Sequence, residues 1–179
     1  MACTATVNTS FGSKVVIPGT GVIMNNQMDD FAIQPGVSNF FGLIGAEANA
    51  VAPGKRPLSS MSPTIVLKDG QPLIALGAAG GPKIVSQVCL NLTGMLDLGM
   101  TPAQALAQPR IHHQWRPDEL WVEKTLPKKL RTALERRGHK LKPTPSTEMG
   151  VSQIVARSAD GRDFVGAADA RVGGVAAGW

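Results

Sequence analysis

The stretch that most constrains the fold is a strand hairpin that runs through a glycine-rich turn into one amphipathic helix. Thr64 to Leu67 and Leu73 to Leu76 are typical strands, and Lys68-Asp69-Gly70 between them is a turn signal. Gly77 to Gly81 follows. The apolar residues after it recur at helical spacing and predict one buried helix face: Ile84, Val85, Val88, Leu92, Met95 and Leu96.

Elsewhere the pattern puts strands at both ends of the chain and helices in its middle. Further strands are predicted at Thr4 to Asn8, Lys14 to Ile17, Gly21 to Met24, Ile111 to Trp115, Leu120 to Glu123, Val151 to Arg157 and Phe164 to Ala167. Ala32 to Pro57 is expected to be a loop. This order predicts an α+β fold, or a layered αββα sandwich, rather than an alternating parallel sheet.

Two shorter helices complete the predicted elements. Thr101, followed by Pro102 and with Gln104 three residues on, forms a capping box. Leu126 to Arg137 is the second helix, and its predicted inward face consists of Leu126, Leu130, Ala133 and Leu134.

Composition supports one folded domain over residues 1–179. An apolar fraction of 43% is enough for a real core, and no apolar run is long enough to span a bilayer. The start at Met1 has neither a basic nor an apolar signal region, so the protein is either cytoplasmic or exported by a signal on another piece. Cys3 and Cys89 have no partner at metal-ligand spacing, and Cys89 is expected in the core.

The formal net charge of +5 is concentrated in one stretch. Its basic residues are Lys124, Lys128, Lys129, Arg131, Arg136, Arg137, Lys140 and Lys142. Nucleic-acid surfaces interleave such residues with aromatic side chains, and none lies between Trp121 and Phe164. A solvated basic helix face is therefore predicted, with no nucleic-acid partner.

Three segments carry residues suited to ligand chemistry. Asn25 to Phe31 is suited to bind the amine and amide groups of a small polar ligand, or it is a polar turn with Asp29 or Asp30 as a helix cap. Ser59 and Ser60 are suited to hold a carboxylate, or they belong to an ordinary loop. In both segments the residues alone favour the structural alternative.

The third segment is Gly77 to Gly81, whose backbone N–H groups are suited to approach an anion or an oxyanion at a helix start. A simple tight turn is an equal alternative. His112 and His113 are acid–base candidates, but adjacent strand residues point to opposite faces, which favours structural roles.

The motifs, in this order, resemble the small subunit of the gamma-glutamyltransferase family from residue 2 to the C-terminus. The matching motifs are Thr6-Val7-Asn8-Thr9, Asn25 to Phe31, Lys55 to Thr64, Gly80-Gly81, Pro109 to Trp115 and Asp118 to Leu120. The resemblance implies an αββα sandwich of the N-terminal-nucleophile hydrolases. It also implies a self-cleaving precursor whose new N-terminal Thr is the nucleophile, with its own α-amine as the base.

The family transfers the gamma-glutamyl group of glutathione and related amides to water or to an amino acid or peptide. The resemblance implies no metal or organic cofactor, a large subunit from the same precursor as partner, and a periplasmic or extracellular location. It assigns eight residues to the chemistry of a glutamyl group. They are Thr6 beside the nucleophile hydroxyl, Asn8, Gln27 and Asp30 on the α-amine, Ser59 and Ser60 on the α-carboxylate, and Gly80 and Gly81 as backbone oxyanion donors.

The sequence departs from the family pattern at its start, because the family's Thr-Thr-His opening has no match here. We therefore expect the chain alone to be inactive. Smaller departures are Ala78-Ala79 where Ser-Pro is common, Ala170 where an Asp-Pro-Arg signature has Pro, and Phe41 where some members have Tyr.

The alternatives to this assignment are a non-catalytic binding module, an inactive paralogue, or another acyltransferase or acylase of the same fold. If the resemblance holds, Asp30, Ser59 and Ser60 should line one small pocket near Gly80 and Gly81.

Overall fold

The structure, a computed structural model, describes residues 1–178 and divides them into two compact units. One unit combines Met1–Thr4 with the residues from Ser60 onward, and the other is Ala5–Ser59. All α-helices and strands of the described residues belong to the first unit.

The strands are β1 (Thr64–Lys68), β2 (Gln71–Ala79), β3 (Ile111–His112), β4 (Leu120–Glu123), β5 (Leu141–Thr144), β6 (Val151–Arg157) and β7 (Phe164–Ala168). The α-helices are α1 (Lys83–Leu96), α2 (Pro102–Ala107) and α3 (Lys128–Arg136). Short 3₁₀ helices lie at Gln27–Asp30, Glu47–Asn49 and Ser146–Glu148. Along the described part of the chain, no helix is long and apolar enough to cross a membrane.

Four antiparallel strands form the main sheet, in the order β1-β2-β6-β7. Alternate residues of these strands point to one face, where α1 and α2 cover them. The core between them consists of Ile74, Leu76, Ala78, Ile84, Val88, Ala105, Leu106, Ile154 and Ala156. The predicted α+β fold is confirmed.

A second sheet has the order β3-β4-β5, with β4 and β5 parallel. Leu120, Val122 and Leu126 form its small core, against which Leu134 of α3 packs. β5 was not predicted, because Lys142 and Pro143 interrupt any apolar alternation. Proline is tolerated there since β5 is an edge strand.

Several predicted elements are confirmed. β4 and β6 have the predicted bounds, β1 and β2 form the predicted hairpin, and the capping box of Thr101 opens α2. The predicted basic face is also largely solvent-exposed, since its residues other than Arg131 are exposed.

The N-terminal strands are corrected. Thr4 to Asn8 is not a strand, and Asn8 and Thr9 have positive φ values of 63° and 45° that no strand permits. Lys14 to Ile17 and Gly21 to Met24 do pair antiparallel, with Met24 N donating to the Val15 carbonyl oxygen and Ile17 N to that of Val22, but they form only an isolated bridge, Val16 to Ile23, and not full strands. The predicted strand Ile111 to Trp115 ends at His112.

The inward face of α1 also differs from the prediction. Val85, Cys89 and Leu96 are exposed, whereas Gln87 and Asn91 are buried. The buried side is rotated away from the apolar stripe because two amide side chains occupy part of it. In α3, Leu130 and Ala133 are likewise exposed, since Leu134 and the preceding Leu126 make the contacts with the small core.

Candidate functional site

The carboxylate of Asp30 is the centre of a polar cluster within Ala5–Ser59. Asn8 Nδ2 donates to its Oδ1 at 3.3 Å, and Gln27 Nε2 donates to its Oδ2 at 3.0 Å. Gln27 and Asp30 lie at the two ends of one 3₁₀ turn, and Asn8 comes from 22 residues earlier. Three of the residues predicted to bind the α-amine therefore meet at one carboxylate.

Gln27 has an acceptor that no other group uses. Its Oε1 is buried and, in the described part of the chain, receives no hydrogen bond. A buried acceptor without a donor is costly, so such an atom calls for an explanation. A carboxylate beside an unused carbonyl oxygen is a site for a donor cation such as an ammonium group.

Partial burial raises the pKa of Asp30 above its ordinary value. The hydrogen bond from Asn8 opposes this shift, and the nearby charge of Asp29 adds to it. Proteins pair buried carboxylates because an unpaired charge is poorly solvated. A bound cation would supply that missing charge and bring the pKa back down.

Thr6 has a local role in this structure. Its Oγ1 accepts a hydrogen bond from the backbone N–H of Asn8 at 2.8 Å. The bond closes a short turn that helps hold Asn8 in its left-handed conformation. Its predicted role beside a nucleophile stays a prediction.

Asn49, which was not predicted as a site residue, connects Asp30 to Leu58. Its Nδ2 donates to the carbonyl oxygen of Asp30 at 2.9 Å, and its Oδ1 accepts from the N–H of Leu58 at 2.9 Å. It therefore fixes the backbone of Asp30 and the residue before Ser59. A single Asn in a loop carries no sequence signal of such a role.

Ser59 and Ser60 lie in an extended segment at the division between the two units. The carbonyl oxygen of Ser60 accepts a hydrogen bond from Ser62 Oγ at 3.0 Å. Asp30 and Ser59 belong to one unit, whereas Ser60, Gly80 and Gly81 belong to the other. The single pocket expected from the sequence stays a prediction.

Gly80 and Gly81 form the turn between β2 and α1, with φ values of 141° and 60° that favour glycine. Their carbonyl oxygens accept from Lys83 N at 3.3 Å and Ile84 N at 3.1 Å. Their own N–H groups have no acceptor among residues 1–178. Two neighbouring free donors before a helix start are suited to stabilise an oxyanion.

A buried ion network lies behind this turn and was not anticipated. Arg110 donates to Glu123 at 2.6 Å, and Arg171 lies 3.0 Å from the same carboxylate. Asp169 contacts both guanidinium groups, at 3.5 Å from Arg110 and 3.1 Å from Arg171. Arg110 also donates to the carbonyl oxygens of Gly150 and Ser146.

Glu123 is fully buried within this network. Burial alone would raise the pKa of Glu123, but hydrogen bonds and charge from Arg110 and Arg171 outweigh it and hold the pKa below its usual value. Glu123 is therefore ionised at neutral pH and paired with both arginines. Its sequence signals, an Arg after Pro109 and an Asp169–Arg171 pair, do not reveal that they meet.

His112 and His113 face different surroundings, as predicted. His112 is buried and contacts Ser86 and Gln114, whereas His113 contacts Asp118 at 3.2 Å. They do not form an acid–base pair. No group of His, Cys, Asp and Glu within residues 1–178 is arranged to hold a metal ion.

Comparisons with known proteins agree on one family. The gamma-glutamyltranspeptidase model matches residues 1–179. The glutathione hydrolase proenzyme of Escherichia coli (strain K12) is 46% identical over 171 residues, which are 96% of this chain and 29% of that protein. The chain spans only 29% to 31% of the first two curated relatives that it matches.

Solved structures of the family superpose closely. A mutant gamma-glutamyltranspeptidase of Helicobacter pylori gives a TM-score of 0.89 at 40% identity, covering 95% of this chain and 92% of that one. A highly active mutant of the Pseudomonas nitroreducens enzyme gives 0.91 at 37% identity, covering 100% and 92%.

Proposed function

Since the chain belongs to the gamma-glutamyltranspeptidase family, we propose that it supplies the glutamyl-binding part of an enzyme acting on glutathione and related amides. The γ-glutamyl group would pass to water, or to an amino acid or peptide. In this proposal Asn8, Gln27 and Asp30 bind the α-ammonium group, and Ser59 and Ser60 bind the α-carboxylate.

The observation that carries the proposal is the unused Oε1 of Gln27 beside the carboxylate of Asp30. An α-ammonium group has three N–H donors, so it can satisfy both acceptors at once. Burial raises the pKa of Asp30, and a cation bound beside this carboxylate would lower the pKa again by supplying a compensating charge.

Gly80 and Gly81 would act on the other end of the glutamyl group. Attack by a Thr hydroxyl forms an ester at the γ-carbonyl carbon and breaks the amide bond, and the leaving amine takes a proton. The γ-carbonyl oxygen carries negative charge at the tetrahedral stage, which two free N–H donors stabilise. Water or an acceptor amine then breaks the ester and restores the Thr hydroxyl.

One face of the main sheet, here called the open face, is not covered by α1 and α2. It supports both the predicted sandwich and a large partner subunit. Ile65, Val155 and Phe164 point away from α1 and α2 and are 51%, 44% and 59% exposed. Thr4 lies over Gly77, and Ala176 lies over Gly166, but these contacts cover only part of that face. In an αββα sandwich a second sheet packs on such a face, and the large subunit would contribute to it.

The proposal is tested by ligand binding and not by turnover. The reason is that Thr-Thr-His, the family's opening with the nucleophile, does not occur among these 179 residues. The ligand is L-glutamine, the simplest γ-glutamyl amide, titrated into the chain by calorimetry or NMR. Asp30→Asn should weaken its binding about tenfold or more, since a charge-assisted hydrogen bond contributes about 1.5–3 kcal/mol. The analogue 4-carbamoylbutanoate lacks the amine and should not respond to this substitution.

Asp29→Asn is the matched control. It removes the same charge one residue away, where Asp29 accepts from Asn26 Nδ2 at 2.7 Å and takes no part in the cluster of Asn8, Gln27 and Asp30. Its effect on glutamine affinity should stay within about twofold. Equal losses in both variants, or no loss in Asp30→Asn, would show that this cluster is not the ammonium site.

A further inference from the structure

We infer that Gln87 is a positioning residue that fixes the turn containing Gly80 and Gly81. The inference rests on the proposed function, because it concerns the donors proposed to stabilise the oxyanion. Gln87 lies on the buried side of α1 and is 2% exposed. It is not one of the residues that the family motifs mark for substrate contact.

The side-chain amide of Gln87 bridges the two ends of the turn. Its Nε2 donates to the carbonyl oxygen of Ala79 at 3.3 Å and to that of Lys83 at 3.4 Å. Ala79 is the last residue of β2 and Lys83 is the first of α1. One NH₂ group thus holds the strand end and the helix start at a fixed separation, with Gly80 and Gly81 between them.

The oxygen of the same amide is anchored from the opposite side. Gln87 Oε1 accepts from Ser152 Oγ at 3.0 Å and from Arg110 Nη1 at 3.3 Å. Both partners are buried, and Arg110 belongs to the ion network with Glu123 and Asp169. All four hydrogen-bonding positions of the amide are therefore filled, which fixes its orientation.

The turn, Gln87 and Gly150 are in close contact. A Cβ added to Gly80 would lie 2.8 Å from Gly150 Cα and 3.3 Å from Gln87 Nε2. A Cβ added to Gly150 would overlap Gln87 Nε2 and the carbonyl oxygen of Ala79. No side chain fits between Gly80, Gln87 and Gly150, so replacing Gln87 would remove both a packing partner and the hydrogen bonds that hold the turn.

The positioning role of Gln87 follows from the groups that its side-chain amide contacts. Gln87 binds carbonyl oxygens around the turn and leaves the N–H groups of Gly80 and Gly81 without an internal acceptor. Oxyanion donors act best when they are held in place before the charge appears. Gln87 supplies that rigidity from behind, without touching the reacting atoms.

The first test measures order in the ligand-free chain by NMR. In Gln87→Met, amide exchange at Lys83 and Ile84, which close the turn onto Gly80 and Gly81, should accelerate about tenfold. The backbone order parameters of Gly80 and Gly81 should fall. Gln87→Glu keeps the acceptor oxygen but loses the NH₂ bridge, and it should show the same release of the turn.

Thr101→Ala is the matched control, because it removes the N-cap of α2 and so destabilises the same unit without touching the turn before α1. Ser152→Ala is a milder variant that removes one of the two donors to Gln87 Oε1. It should give a smaller release of the turn and serves if Gln87→Met does not fold.

The second test uses L-2-amino-4-phosphonobutanoate, a glutamate analogue whose tetrahedral phosphonate imitates the oxyanion. Gln87→Met should weaken its binding about tenfold, whereas L-2-aminobutyrate, which has the head group alone, should bind the variant and the wild type equally. A general loss of structure would weaken both ligands.

The outcomes separate the two proposals. If Gln87→Met matches Thr101→Ala in exchange and order and binds the phosphonate like the wild type, the inference about Gln87 is overturned. If the wild type does not bind the phosphonate while the turn is released in Gln87→Met, the positioning role stands and the proposed function fails.

Discussion

His112 has one hydrogen-bonding partner on each ring nitrogen. Ser86 Oγ lies 2.8 Å from Nδ1, and Gln114 Oε1 lies 3.0 Å from Nε2. Gln114 uses its NH₂ group to donate to Arg116, so its oxygen faces the ring and Nε2 carries the proton. The neutral ring satisfies both contacts, since Nδ1 accepts from the Ser86 hydroxyl. A protonated Nδ1 would instead donate to Oγ, and the Ser86 hydroxyl hydrogen would have to rotate to another acceptor.

Burial lowers the pKa of His112, although the bond to Gln114 opposes the shift, and the charges of Lys83 and His113 lower it further. The unfolded chain therefore binds a proton at a higher pH than the folded chain. Stability from the neutral ring is present above the unfolded pKa of about 6.5 and is lost as the pH falls below it. The free energy of unfolding should decrease between pH 7 and pH 5 in urea titrations.

His112→Asn should reduce this pH dependence, because it removes the group whose pKa differs between the two states. His139→Asn is the control, since His139 is exposed and should leave the slope unchanged. An unaltered slope in His112→Asn would assign the pH dependence to other groups.

At the scale of residues, the motifs indicated which side chains suit a ligand, but they did not indicate which side chains contact one another. Asn8, Gln27 and Asp30 were marked in advance, and they meet within one unit. Gln87 and Asn49 carry no local signal, because each acts through carbonyl and N–H groups that come together only after folding. Cys89 was expected inside from its apolar neighbours, but it is exposed because the buried side of α1 includes Gln87 and Asn91.

The clearest element-scale prediction concerns the start of α2. Thr101 Oγ1 accepts from Gln104 N at 3.3 Å, and Thr101 N donates to Gln104 Oε1 at 2.9 Å. Thr101→Ala should lower the free energy of unfolding by about 1 kcal/mol, because it leaves helix N–H groups without an acceptor. Thr101→Ser keeps the hydroxyl and should restore most of the loss in urea titrations. Equal stability of the Ala and Ser variants would show that the cap does not stabilise α2.

Elements were predictable where local signals and packing agree. The β1–β2 hairpin has alternating strands and a turn, and it lies in a sheet that α1 and α2 cover. The segments around Val16 and Ile23 have the same β-branched composition, yet they form only an isolated bridge, since within the described residues they pair with each other alone and a lone two-stranded hairpin is marginal. Composition does not reveal whether a strand has a neighbour.

At the scale of the molecule, the order of strands and helices was enough to predict the α+β fold. It did not predict the division into two units, since the loop-like composition of Ala32 to Pro57 gives no sign of a compact body. The ion network of Arg110 and Glu123 could not be predicted from the sequence for a related reason. Its members come from three separate segments that only the complete fold brings together.

The open face of the main sheet leads to the last prediction. Ile65 and Val155 lie in one row of paired residues on this face, each about half exposed, and Phe164 is nearby. Such a face should associate with a second copy when the proposed partner is absent. Ile65→Thr combined with Val155→Thr should weaken self-association about tenfold in sedimentation, since apolar area of both side chains is lost from the contact. Val165→Thr is the matched control, because Val165 is 47% exposed on the opposite face of the same sheet. A compact wild-type monomer with cooperative, high-temperature melting would contradict this prediction and show that the face is stable in water.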